Sequence, residues 1–431
     1  MKILLIGSGG REHALAWQLK KNPRVQLISA PGSSALAALG EIEQISPDNI
    51  SGLVTLAKRK RPDLTIIGPE APLVLGLADH LRAEGLAVFG PSSRAAQIEG
   101  SKVFAKDFMV RHNLPTANYA VFYDKEEAQQ YLEGASYPLV LKADGLAQGK
   151  GVIICGKLEA ALKAITELAS LEAGRRILIE EYLAGEEISY FVLTDGRNIV
   201  PLPSAQDHKT IYDNDCGPNT GGMGAYCPAP LVTPTLERII LDTIIRPTVL
   251  GLATEGTPYS GLLYAGLMIT LSGPKVLEFN ARFGDPETQA LMPLLKSDLA
   301  EICLAVAQGR LNEIEVEWEN KTAATVVMSA EGYPGPYRQG DLITGLEEAN
   351  SQPGVVVFEA GVERKMEGAS FNSYTKGGRV LAVTAVNDDL PGAVDLAYEA
   401  VGKISWPGAH YRRDIGGKAL RKSLLYDSGS D

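Results

Sequence analysis

From Lys2 to about Gly90 two periodicities alternate. Short apolar runs, KILLIG, VQLIS, DLTIIG and LAVFG, are separated by segments such as REHALAWQLKK whose apolar residues recur at helical spacing. Strands alternating with amphipathic helices predict a parallel α/β sheet. In IGSGG, IGPEAP and FGPSS a glycine follows the strand, at the carboxyl edge where open α/β sheets bind ligands. A dinucleotide fingerprint beginning at Gly7 would need glycine at position 12, which is Glu12, so that reading fails.

The pattern changes near Ser101. A helix with Lys102 and Lys106 on one face precedes YPLVLKADGLAQGKGVII, a long helix, and RILIEEYLAGEEISYFVL: two strands around a glycine-rich loop, then a second strand pair. The polar segment QDHKTIYDNDCGPNTGGMGAY, Gln206 to Tyr226, is too long for an ordinary connector and is either disordered or a functional loop; its lack of repetition favours function. Beyond about Gly309, strand-like runs AATVVMSA, VVVFEA and GGRVLAVTAV lie between Gly/Pro turns and end in a helix near Leu390 to Val401, which predicts a β-rich terminal region.

The length of 431 residues suggests two to four domains, and 45% apolar content is that of a folded globular protein. The expected units are residues 1–100, 101–310 and 320–431. A net charge of -11 argues against nucleic acid or an anionic membrane surface as main partner, because phosphate repulsion must be offset by a basic patch. The N-terminus lacks the apolar run of a signal peptide and no later run approaches a membrane span, so the expected location is cytoplasmic. Cys155, Cys216, Cys227 and Cys303 form no CxxC pair and the five histidines are scattered, so buried free thiols are expected in place of a zinc site or a disulfide framework.

Three stretches carry candidate chemistry. In VLKADGLAQGKGV, Lys142 ends a strand before a loop with Gly145, Gly149 and Gly151, whose backbone N–H groups can approach phosphate oxygens closely; a simple glycine-rich hairpin is the alternative. A Walker A loop is excluded, since one spacer is missing between Gly145 and Lys150 and Gly151 stands where the hydroxyl should be. IEEYLAGEE, Ile179 to Glu187, emerges from a strand as acidic, aromatic, then apolar, able to meet an adenine edge and a ribose, although solvated acids would read the same way. In LEFNARFGDPE, period two places Glu278, Asn280 and Arg282 on one face with Phe279 and Phe283 toward the core. A carboxylate and an amide oxygen are hard ligands suited to magnesium, and Arg282 can clamp a phosphoryl or carboxylate group. A strand-face ion pair between Glu278 and Arg282 is the simpler alternative, and it leaves Asn280 unexplained.

Together with GSGGREHALAW, IGPEAPLV, GPSS, EGSKVFAKDFM, SAQDHK, GPNTGGMGAYCPAP, YAGLM, EFNARFGDPETQ and GGRVLAVTA, these stretches resemble, end to end, the ATP-grasp superfamily and within it the glycinamide ribonucleotide synthetase family. The resemblance implies a fold of α/β and α+β parts: an N-terminal parallel α/β domain, a central ATP-grasp fold of two lobes with the lid lobe at about 118–190, and a β-rich C-terminal domain. It implies an ATP-dependent carbon-nitrogen ligase of purine biosynthesis, acting through glycyl phosphate on glycine and 5-phosphoribosylamine, with ATP and Mg2+ or Mn2+, as a monomer or homodimer. On this reading Lys102 and Lys142 contact the ATP phosphates, and Gly149, Lys150, Gly151 and Val152 close as a lid, as does Gly217 to Gly224. Glu180, Glu181, Tyr182 and Leu183 form the adenine hinge, Glu187 meets the ribose, and Glu278 and Asn280 hold the metal. Arg282, Lys209 and Asp207 serve the chemistry. Gly10, Arg11, Glu70, Asp285 and Arg379 bind the acceptor substrates, with Arg412 and Arg413 expected to add to a basic phosphate site.

Overall fold

The computed structural model describes residues 1–146, 151–171, 176–368 and 370–421. Its first region is a five-stranded parallel sheet in spatial order Glu41–Ile42, Gln26–Pro31, Lys2–Gly7, Leu64–Ile67 and Val88–Phe89. The order reverses between Lys2–Gly7 and Leu64–Ile67, so a crevice opens beyond their carboxyl ends. The two central strands are buried on both faces because helices such as Gly10–Leu19 and Ile50–Lys60 cover them, as a parallel sheet requires.

The central region contains two antiparallel sheets of four strands. One orders Tyr119–Phe122, Ile177–Glu181, Leu139–Ala143 and Val152–Cys155, backed by helices Lys125–Glu133 and Leu158–Ala169 over a core of its own. The other orders Ile199–Pro201, Glu186–Asp195, Ser260–Thr270 and Gly273–Asn280. The short link after Glu181 passes the chain from one sheet to the other. Gly185 is required there, since a Cβ would lie 2.3 Å from the Ile269 carbonyl oxygen.

Gln206 to Tyr226 is ordered: strand Gln206–Asp207, a hairpin of Thr210–Tyr212 with Cys216–Asn219, and strand Gly224–Cys227. The outer strands of this segment join the C-terminal sheet, whose order continues through Thr322–Ser329 and Arg379–Asn387 to the edge strand Val355–Glu359. The polar segment is thus fixed by backbone pairing with a sheet made mainly by residues beyond 320. Helix Leu390–Val401 covers that sheet where the sequence places it. Of the four cysteines, Cys155, Cys227 and Cys303 are buried as expected, whereas Cys216 is exposed because it begins the outer strand of the hairpin. No helix among the described residues is long and apolar enough to cross a membrane.

Candidate active site

The two central sheets meet across a cleft lined by lysines. Helix Lys102–Arg111 starts beside it, its first turn held by Ser101 Oγ, which accepts from Phe104 N at 3.1 Å, and by Asp144 Oδ1, which accepts from Val103 N at 3.1 Å. Asp144 thereby ties the end of strand Leu139–Ala143 to the helix that delivers Lys102. Lys102 Nζ donates to the Gly145 carbonyl at 2.9 Å, and Lys142 Nζ donates to the Leu277 carbonyl at 3.3 Å, across to the second sheet. Gly149 and Lys150 lie outside the described residues. Gly151 accepts from Ala143 N at 2.8 Å and Val152 opens the returning strand opposite Lys142.

Glu180 is buried between two ammonium groups, Lys142 at 3.0 Å and Lys106 at 3.0 Å. Burial pushes Lys106 down to about 8 against the pull of Glu180. Lys106, absent from the expected site, therefore shares its carboxylate with Lys142. Glu181 faces away, accepting from Asn118 and from Lys275 at 3.3 Å, while Tyr182 is exposed and Leu183 buried on the link itself.

In the second sheet, period two does not run through LEFNARFGDPE. A bulge places Glu278 opposite Gly266 but Val276 opposite Leu267, leaving Leu277 as the extra residue, and the strand ends at Asn280. Phe279 and Phe283 are buried as the pattern predicts. Arg282 lies past the strand and its guanidinium turns to Glu70 at 3.2 Å and Glu99 at 2.9 Å, so it makes no ion pair with Glu278. That removes the simpler reading of the motif.

Glu278 faces cations. Burial would raise its carboxyl, but Lys209, then Lys142, Lys102 and Arg282, outweigh it and hold it at about 2. Lys209 bridges Glu187, with which it is ion-paired, and Glu278 at 3.6 Å. Burial would lower the Lys209 ammonium, and Glu187, Asp207 and Glu278 raise it instead. Asp207 is the converse: burial first, then Glu287, Glu187 and Glu278, raise its carboxyl against Lys209. His208, between the two, turns its ring onto Tyr226 at 6.0 Å.

Asn280 is buried, and its side-chain amide makes no hydrogen bond among the described residues. An ionised carboxylate and an unpartnered amide oxygen two residues apart fit a hard divalent cation. Among the described residues no group of three or more His, Cys, Asp or Glu side chains is arranged to hold a metal alone, which suits an ion that takes its remaining ligands from phosphates and water.

The crevice of the parallel sheet opens toward the same region. Glu12, which breaks the dinucleotide pattern, fills the switch point: its Oε2 accepts from Gly9 N at 2.7 Å and its Oε1 accepts from Arg11 Nε at 2.6 Å, and a Cβ on Gly68 would lie 2.2 Å from Oε1. A carboxylate occupies the place a pyrophosphate would need. Arg11 also donates to the Phe283 carbonyl at 3.2 Å, bringing the first strand's loop to the end of the metal motif. Burial would raise the Glu70 carboxyl, and Arg282 and Arg11 together lower it.

Asp285 completes the ring. Arg379 reaches from the C-terminal sheet to Asp285 Oδ2 at 3.0 Å and donates to the carbonyls of Asp285 at 2.9 Å and Gly221 at 2.6 Å. Against burial, Arg379 and then Arg11 hold Asp285 below the usual carboxylate range. The glycine turn is pinned as well, since Thr220 N donates to the Lys209 carbonyl at 2.7 Å and Gly221 N to the Tyr333 hydroxyl at 3.0 Å. Gly10 faces Gln289 and Ala360, where a Cβ would lie 2.9 and 3.3 Å away.

Arg412 is not part of this site. It is wholly buried, with a two-point contact to Asp414 at 2.7 Å each and further bonds to Asp215 at 3.1 Å and Thr210 Oγ1 at 2.9 Å. It clamps the hairpin to the C-terminal segment, and Arg413 takes part through its backbone N–H, donated to Asp213 at 2.8 Å.

Three family models match the chain in order: the N domain of phosphoribosylglycinamide synthetase over residues 1–99, its ATP-grasp (A) domain over 100–288 and its C domain over 323–418. A phosphoribosylamine–glycine ligase of Vibrio vulnificus is 49% identical over 430 residues, covering 98% of this chain and 99% of the relative. One of Allochromatium vinosum is 51% identical over 430 residues, with 98% and 99% covered. The crystal structure of phosphoribosylamine–glycine ligase from Thermotoga maritima matches with a TM-score of 0.83 at 33% identity, covering 96% of this chain and 100% of that one. The biotin carboxylase domain of the Hydrogenobacter thermophilus 2-oxoglutarate carboxylase, solved with MgADP, matches with a TM-score of 0.72 at 18% identity over 95% and 91%, a likeness of fold.

Proposed function

The chain belongs to the phosphoribosylglycinamide synthetase family, and from that premise we propose that it joins glycine to 5-phosphoribosylamine at the expense of ATP, yielding glycinamide ribonucleotide, ADP and phosphate in purine biosynthesis. The observation that carries the chemistry is the set of four cations, Lys209, Lys142, Lys102 and Arg282, around Glu278 with the unpartnered Asn280 beside it. The full-length similarity supports the choice of acceptor.

A carboxylate does not condense with an amine at neutral pH, because its carbon is shielded and the leaving group would be oxide. The glycine carboxylate oxygen therefore attacks the γ-phosphorus of ATP, the bond to the bridging oxygen breaks, and ADP leaves. The amine of phosphoribosylamine then attacks the carbonyl carbon of glycyl phosphate, the carbon-oxygen bond breaks, and phosphate departs with one proton lost from nitrogen. No protein nucleophile is needed.

Transfer to an anion is catalysed by positioning and by charge neutralisation. Lys102 and Lys142 hold the phosphates, and the link from Glu180 through Leu183 holds the adenine with Glu187 on the ribose. A divalent cation, Mg2+ or Mn2+, would be held by Glu278 and Asn280 and would neutralise phosphate charge there. Lys209 leaves Glu187 and Glu278 when nucleotide arrives and turns to the transferring group, to which Arg282 turns from Glu70 and Glu99. Asp207, whose carboxyl is raised, accepts the amine proton. Gly10, Arg11, Glu70, Asp285 and Arg379 frame glycine and phosphoribosylamine where the three regions meet. The test is the release of ADP from Mg-ATP with and without glycine and with and without phosphoribosylamine generated in place. Release that needs both supports the proposal; release with bicarbonate in place of glycine overturns it.

A further inference from the structure

A cavity of about 310 Å³, lined by His13 and Trp17 of helix Gly10–Leu19, lies against the outer edge of strand Val355–Glu359. The Val357 N–H donates to Asn350 Oδ1 at 2.9 Å and the Glu359 N–H to His13 Nδ1 at 2.8 Å, so this edge looks toward the helix. The Val357 carbonyl points the same way and has no partner among the described residues. Glu359 lines the cavity and is only 5% exposed. Its Oε1 is ion-paired with Arg364, while Oε2 is buried with no hydrogen-bond partner. A desolvated carboxylate oxygen left unpaired is unfavourable, and a donor delivered by a ligand relieves it.

The other groups sharpen the chemistry. Because His13 Nδ1 accepts, its ring proton sits on Nε2; burial, with Arg364 nearby, pushes His13 down to about 4, so the ring is neutral at pH 7. Trp17 contributes an indole and Leu39 and Val356 apolar surface. The cavity lining thus includes an acceptor on Glu359, an imidazole N–H on His13 and the indole of Trp17, over whose ring Lys21 Nζ also sits at 4.2 Å.

We propose that this cavity is a second binding site, for an aminated heteroaromatic ring of the nucleobase type whose amino group donates to Glu359 Oε2 and whose ring nitrogen accepts from His13 Nε2, with the ring against Trp17. An amino group next to a ring nitrogen is the edge that matches this pair. The test uses 9-methyladenine and, as the ring without the amino group, 9-methylpurine, each titrated into the full chain without nucleotide, because ATP carries the same aminated ring and would compete for the cavity. Trp17 fluorescence reports occupancy, with Trp17→Phe showing which of the three tryptophans responds.

The expected result is saturable quenching by 9-methyladenine, lost in Trp17→Phe, with 9-methylpurine binding at least tenfold more weakly and Glu359→Gln erasing that discrimination. No saturable quenching, equal binding of the two rings, or quenching retained in Trp17→Phe overturns the assignment. The comparison of the two rings on the unaltered protein decides the matter even if Glu359→Gln fails to fold.

Discussion

Replacing Glu278 by glutamine removes one charge and no volume, so it separates what the carboxylate does from what its shape does. The side chain sits opposite Gly266 at the strand bulge, where glutamine fits equally well, and the fold is expected to survive. The fall of the Glu278 carboxyl from 4.5 to about 2 would correspond to about 3 kcal/mol of stabilisation. The side chain is 38% exposed, and solvent screening reduces this to about 1 kcal/mol. That contribution is present above the ordinary carboxylate range and is lost as pH falls toward 2. At pH 7.5 the variant should therefore melt only slightly lower than the parent. Catalysis should suffer far more, since a metal ligand and a negative charge among Lys209, Lys142, Lys102 and Arg282 are lost together. About 3 kcal/mol in the barrier is a rate loss of roughly a hundredfold or more. Initial rates of ADP formation across a Mg2+ titration, beside melting curves, measure both effects. A variant with an unchanged melt and near-normal kcat/KM at low Mg2+ would refute the metal assignment.

Three further outcomes follow from the same geometry. Glu99, raised to about 7 by burial despite Arg282, stabilises the fold most below the ordinary glutamate pKa and loses that contribution as pH rises through 7; the Tm of Glu99→Gln relative to the parent should thus rise between pH 5 and pH 8, and parallel pH curves would contradict this. Arg379→Lys cannot span Asp285 and the Gly221 carbonyl as a fork does, and should raise KM for the acceptor substrates about tenfold with little change in KM for ATP; the reverse pattern in steady-state kinetics would move Arg379 out of the acceptor site. Gly222→Ala places a Cβ 2.4 Å from Pro286 Cδ at φ +109° and should cost about 1–3 kcal/mol, read as a lower melting temperature, with an unchanged melt as the contrary result.

The architecture was legible where one period dominates. The alternating apolar runs and helices of the first ninety or so residues give four of the five strands of the parallel sheet, all but the two-residue edge strand Glu41–Ile42, and Glu12, which spoils the glycine fingerprint, turns out to fill the crevice itself. Motif residues far apart in sequence, Arg11, Asp285 and Arg379 among them, come close together in the structure. What stayed hidden depends on irregular backbone or on long-range pairing. The extra residue at Leu277 and the strand end at Asn280 redirect Arg282 to Glu70 and Glu99, and no periodicity encodes a bulge. Lys106 and Asp144 act on a carboxylate and a helix start about 74 and 41 residues away, so only the fold reveals them; the four-residue step from Lys102 to Lys106 was the one available signal for the former. Arg412 carries the same charge as Arg379, and only its buried partners Asp414 and Asp215 distinguish a clamp from a binding residue.

Whether the glycine carboxylate receives the phosphoryl group is read most directly by following oxygen. Glycine labelled with 18O in both carboxylate positions is turned over with ATP and phosphoribosylamine, and the phosphate released is analysed by mass. Activation through glycyl phosphate requires one labelled oxygen in each phosphate and one kept in the amide. Unlabelled phosphate formed alongside product would show that the carboxylate never receives the phosphoryl group, and the role given to the lysine cleft would fall with it.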